Sequence, residues 1–161
     1  MKALCIGMMV CDTLISPVPE NILELDSVRI DKPRICCGGD ALNVAMGLAK
    51  LGCPVSIIGR IGRDSNGSFI LKECQQNHID SSRVIFDQEC GTAASYALID
   101  TNGERHFLTE KSVFYRISGT DVSDGRFLIQ MRYISDLRWL FRKWMKAEYR
   151  MYLQGHIVWE S

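Results

Sequence analysis

The sequence predicts an α/β fold: a partial doubly wound sheet of parallel strands with a small β addition. Three observations predict it. Lys2 to Val10 is an almost continuous apolar run, as a strand buried on both faces reads. From Asp40 to Phe86 helical and strand-like segments alternate, the pattern of right-handed β-α-β crossovers. Beyond that, Thr92–Asp100 and Glu104–Leu108 flank Asn102-Gly103, a hairpin signal that interrupts the alternation.

The elements follow in order. The first strand ends near Asp12, and Leu14–Pro19 and Ser27–Cys36, broken by Pro17, Pro19 and Pro33, read as loops or edge strands. Asp40 to Leu51 is a helix with Asp40 as N-cap. Ala41, Ala45 and Ala49 give it a small-residue face beside the apolar stripe Val44, Leu48 and Leu51. Gly52 and Pro54 stop it. Pro54–Gly59 is the next strand. Ser65–Gln76 is the next helix, with Phe69, Ile70 and Cys74 inward and Asn77 at its end, and Val84–Phe86 is a third strand.

The character changes after about Ser135. Residues 136–161 form a basic, aromatic tail that holds all three tryptophans, Trp139, Trp144 and Trp159. Asp136–Leu153 follows a rough helical stripe, which suits a basic amphipathic helix or a cover for an open sheet face.

Bulk properties bound the function. The chain has 161 residues, 47% of them apolar, enough for a sizeable core in one domain or most of one. Net charge is zero, which argues against nucleic acid or a membrane as a general partner. The zero divides into 10 Lys/Arg against 14 Asp/Glu in residues 1–110 and 9 against 5 in residues 111–161. No apolar run approaches the roughly 20 residues of a membrane span. The seven cysteines are odd in number, lack C-x-x-C spacing and follow no signal peptide, which predicts reduced thiols in a cytoplasmic protein. The adjacent pair Cys36-Cys37 bridges only with strain.

The densest chemical signal is Cys37-Gly38-Gly39-Asp40-Ala41-Leu42-Asn43-Val44-Ala45. Two glycines open a helix and a polar amide sits one turn in. Glycines admit a ligand to the backbone, and an amide that donates and accepts suits a hydroxyl. The pattern fits a neutral polyol. Alone, it equally fits a tight loop leading into a close-packed helix. It is not a phosphate loop, since no G-x-x-x-x-G-K-[ST] occurs.

With Gly52 and Gly62, this segment resembles the first signature of the ribokinase/PfkB carbohydrate kinases. Gly59-Arg-Ile-Gly62-Arg-Asp64-Ser-Asn-Gly67 resembles the family's G-x-x-G-x-D-x-x-G segment. His78-Ile79-Asp80, Gly91-Thr-Ala-Ala and Ile99-Asp-Thr-Asn-Gly-Glu-Arg105 follow in family order, with His78 and Ala93 where glycine is usual. The resemblance runs from about Lys2 to Leu108 and weakly on to Ser135.

It implies a ribokinase-like portion over residues 1–135, with a small β lid from about 14–36 and 92–108. It implies transfer of the ATP γ-phosphoryl group to a sugar or nucleoside hydroxyl, with Mg in the full-length enzymes. It places Asp12, Gly38, Gly39 and Asn43 at the sugar and Arg105 in the lid hairpin, where a solvated charge is an equal reading. It allows a homodimer through the lid. The family's second signature, Asp-Thr-x-Gly-Ala-Gly-Asp, supplies the catalytic base and an anion hole, and it is missing; Gly119-Thr120-Asp121 has the wrong order. The expectation is therefore a truncated chain with no catalytic residue and no ATP site of its own, holding the sugar-binding part and inactive alone. The alternative is a non-catalytic sugar-binding or subunit-interaction protein.

Overall fold

The computed structural model describes residues 2–110, residue 116 and, as backbone, residues 156–160. The main sheet contains β1 (Lys2–Ile6), β4 (Val55–Ile58) and β6 (Ile79–Asp80), all parallel, with β10 (His156–Glu160) antiparallel on the outer side of β1. The helices α1 (Asp40–Lys50) and α2 (Ser65–Gln76) make the two crossovers.

Alternation along the strands sorts their side chains. Ala3 and Cys5 of β1 and Val55 and Ile57 of β4 enter one core with Leu42 of α1 and Ile70 of α2. Leu4 and Ile58 face the other way and are equally buried. Both described helices thus cover one face, as crossovers of one hand require when the strand order advances steadily from β1 to β6. Leu51, expected on the apolar stripe of α1, is exposed, because the helix ends before it.

A second sheet stands apart from the first, in the order β3 (Arg34–Gly38), β2 (Val10–Ile15), β8 (Ala93–Ile99), β9 (Arg105–Thr109). This is the small lid. It begins earlier than the sequence suggested. The opening apolar run is broken at Gly7–Met9, so Val10 to Ile15 belongs to the lid, where β2 is an interior strand between β3 and β8. Prolines 17, 19 and 33 fall outside both strands, and the connection between them carries only one 3-10 turn at Ile22–Glu24. The β8–β9 turn holds Asn102-Gly103 as expected, although only Gly103 takes a positive φ. The Asp100 carboxylate closes this turn by accepting from the Asn102 and Glu104 N–H groups, each at 2.8 Å.

The third strand of the main sheet also differs. It is Ile79–Asp80 rather than Val84–Phe86. The latter contributes β7 (Ile85–Phe86), which pairs in parallel with β5 (Arg60–Ile61) in a two-stranded sheet. At its start the main sheet is tied by Asp80, whose carboxylate accepts from the Lys2 ammonium at 2.7 Å. The helical reading of Asp136–Leu153 lies outside the described residues, as does the boundary at residue 135.

Candidate sugar site at the lid junction

Three chain segments cross where the lid meets the main sheet. The first is the bend Gly7–Met9 that carries the chain from β1 into β2. The second is the passage from β3 through Gly38-Gly39 into α1. The third is the start of β8. The glycine pair sits where the first two nearly touch. A β-carbon on Gly38 would collide with the Asp12 carboxylate. Gly39 has φ +87° and a β-carbon there would lie 2.6 Å from the Met8 carbonyl oxygen.

The N-cap of α1 is therefore Gly39, not Asp40 as the sequence suggested. Left-handed backbone at Gly39 leaves Asp40 inside the first turn. Its buried carboxylate reaches back and accepts from the Met8 N–H at 2.9 Å and the Ala41 N–H at 2.7 Å. The Leu42 N–H is also used, on the Met8 carbonyl at 3.3 Å. The Leu42 N–H is thus committed to the β1–β2 bend and the Ala41 N–H to the Asp40 carboxylate, so neither is offered to a ligand.

Asp12 projects from the middle of β2. Its register partners are Cys36 on β3 and Ser95 on β8, and Ser95 pairs onward with Thr109 on β9. A polar row Cys36–Asp12–Ser95–Thr109 therefore runs across all four strands on one face of the lid. Burial pushes the Asp12 carboxyl above its ordinary value, and a hydrogen bond from the Ser95 hydroxyl partly opposes the shift. The Cys36 thiol is likewise raised, first by burial and then by the negative charge of Asp12.

Asn43 lies one turn into α1, its backbone N–H on the Gly39 carbonyl at 3.0 Å. Its half-buried side-chain amide has no hydrogen-bond partner among the described residues. The structure thus brings Asp12 against the bare backbone of Gly38, and places Asn43 one helical turn beyond Gly39. Arg105 is separate. It starts β9 opposite Ile99, on the same face as Ser95 but four residues along β8, roughly 13 Å away, and it is exposed.

Ser95 was missed from sequence. It sits in an ordinary alternating strand, and only the parallel pairing of β8 with β2 brings it to Asp12. Asp64 was seen only as part of a motif, and the structure gives it a job. It caps α2 by accepting from the Gly67 N–H at 2.8 Å, and it also accepts from the Thr92 N–H and hydroxyl, each at 2.7 Å. Thr92 in turn accepts from the Gly62 N–H at 2.8 Å. This latch roots β8 in the main body. Among the described residues no group of three His, Cys, Asp or Glu side chains is placed to hold a metal ion, all seven cysteines are free, and no helix is long and apolar enough to cross a membrane.

The sequence pattern of the pfkB family carbohydrate kinases matches residues 1–115. Fructokinase-2 of Zea mays is 32% identical over 85 residues, covering 53% of this chain and 24% of its own length. Probable fructokinase-6, chloroplastic, of Arabidopsis thaliana is 29% identical over 118 residues, covering 73% and 28%. Among solved structures, the ATP-bound fructokinase of Xylella fastidiosa superposes with a TM-score of 0.56 at 25% identity, over 68% of this chain and 33% of that one. A sugar kinase of Pyrococcus horikoshii shares the fold at a TM-score of 0.61 and 24% identity, over 73% and 37%. The chain spans about a quarter of the length of these curated relatives. With that match over its first 115 residues and this fold, the chain belongs to the pfkB family of carbohydrate kinases.

Proposed function

We propose that the chain is the sugar-binding portion of a fructokinase-like sugar kinase. In this reading the Asp12 carboxylate accepts hydrogen bonds from sugar hydroxyls, Gly38 and Gly39 let the ring approach the backbone, and the Asn43 amide donates and accepts to a further hydroxyl. The carrying observation is the junction itself: a β-carbon on Gly38 would strike Asp12, so the glycine is what lets that carboxylate lie against bare backbone. Arg105 stands apart and would reach only an extended or acidic substrate.

The described residues do not fit ATP with its Mg ion. The junction offers one carboxylate and neutral amides, and no three-ligand group lies elsewhere among those residues. Phosphoryl transfer depends on charge stabilisation that they do not supply. The chain alone is therefore expected to bind sugar without phosphorylating it. Free thiols support a reducing compartment such as the cytoplasm.

A thermal-shift titration with a sugar panel led by D-fructose tests this. Binding stabilises the fold by RT ln(1 + [L]/Kd), so fructose should raise the melting temperature of the native chain and not of Asn43→Ala or Gly38→Ala. Absence of a shift with every sugar sinks the sugar site, and turnover with ATP sinks the inactivity. The second reading, a non-catalytic interaction protein that pairs through its lid, is favoured by one observation. Ile35, Tyr96 and Leu108 are 57%, 43% and 59% exposed and lie in one row across the lid.

A further inference from the structure

We propose that Ser95 is the positioning residue for Asp12, holding one carboxylate oxygen so that the other faces a bound polyol. The inference rests on the sugar-site reading for its purpose but not for its geometry. Ser95 lies directly across from Asp12 in the parallel β2–β8 register, so both side chains leave the lid on the same face. It is only 6% exposed, and the register sets its hydroxyl beside the Asp12 carboxylate, where it favours the charged form.

The other neighbours cannot do this. Gly38 has no side chain, and a thiol such as Cys36 is a weak donor. Among the described residues the other charged or titratable groups are Arg34, on the same lid face opposite Leu14, Arg105, on that face but four residues along β8, and Cys11, which leaves β2 on the opposite face into the core. Thr109 on β9 and Asn43 on α1 carry no charge. Among the described residues Ser95 is thus the one buried hydroxyl beside Asp12, and a buried hydroxyl holds its partner in place because leaving it unpaired is costly.

Two effects follow. A carboxylate already fixed by Ser95 does not have to be ordered when sugar arrives, so binding is tighter. The hydrogen bond also favours the charged form of Asp12 against the burial that opposes it. Loss of the hydroxyl raises the pH at which Asp12 takes up a proton, and the protonated acid is a poorer acceptor for sugar hydroxyls.

The test uses the full chain as wild type, Ser95→Ala and Ser95→Thr, with two readouts. One is the titration of Asp12 followed by carboxyl carbon NMR. The other is the calorimetric binding of D-fructose as a function of pH. Ser95→Ala should move the Asp12 midpoint upward and weaken fructose about tenfold, with the loss deepening as pH falls, and Ser95→Thr should restore both. A midpoint unmoved by Ser95→Ala, or moved as far by Ser95→Thr, overturns the proposal whatever fructose does. A wild type that ignores fructose, with a midpoint that still moves, sinks the sugar site and leaves Ser95 in its positioning role. If Ser95→Ala does not fold, Ser95→Cys carries the same titration, since a thiol donates weakly.

Discussion

At Asp12 the proposed binding role and stability oppose each other. A carboxylate that is to meet sugar hydroxyls has to sit on the inner face of the lid, where burial disfavours its charge. Its folded-state pKa is raised, so between its unfolded and folded values the native chain holds more protons than the unfolded one. Stability from this group therefore falls as pH rises through that window, and the loss is complete above it. Asp12→Asn removes the penalty while keeping the shape. It should melt a few degrees above wild type at neutral pH, match it once the pH drops below the ordinary carboxylate value of about 3.9, and lose D-fructose binding. Melting curves of both proteins from acid to neutral pH check this, and a variant no more stable than wild type at neutral pH refutes it. Gly38, Gly39 and Asn43 could be singled out from sequence because their spacing is local to one loop-to-helix passage, and Asp12 because the family resemblance sets a carboxylate there. Ser95 could not, because its tie to Asp12 depends on a register between distant strands.

Among the elements, α1 and α2 were legible and the short strands were not, for a physical reason. Each helix carries its own periodicity and stop signals, so its limits are set by nearby residues. The strands β6 and β7 are two residues each, and their existence depends on partners elsewhere in the chain. The same non-local logic gives Asp64 its importance. It ends an exposed turn, yet it holds the start of α2 and the start of β8 together. Burial works to raise its pKa, but hydrogen bonds from Gly67 and Thr92 outweigh this and hold it below the ordinary value. The stability it supplies is thus present above the ordinary carboxylate range and fades as pH falls below it. Asp64→Ala removes an N-cap and leaves the buried Thr92 groups unpaired, and should cost about 2–4 kcal/mol. Thr92→Val, which keeps the backbone bond, should cost less. Because the two share one network, a double-mutant cycle measured by urea unfolding should show coupling. Strict additivity would show that the latch does not act as a unit.

On the scale of the whole molecule, two sheets meet at the Gly7–Met9 bend and the Gly38-Gly39 passage, and each must deal with its free edges and faces. In the main sheet the outer side of β1 is paired by β10 over five residues, Lys2 with Glu160 through Ile6 with His156, so that edge is not left as an open template. Among the described residues nothing covers the outer part of the lid face opposite Asp12. One row there, Cys37, Cys11 and Ala94, turns into the core or against it, but two residues further out Ile35, Thr13, Tyr96 and Leu108 form a row with three large exposed apolar side chains. An exposed row with three large apolar side chains on a four-stranded sheet favours association with a like surface, and a second copy of this chain offers an identical one. Light scattering should then give a mass that rises with concentration toward a dimer. Tyr96→Lys with Leu108→Lys should hold the chain monomeric. Both positions lie on the face opposite Asp12 and Ser95, so D-fructose binding should survive the change. A wild-type mass that stays monomeric at every concentration would show the stripe to be idle, and loss of sugar binding in the monomeric variant would mean that the junction is complete only when two lids meet.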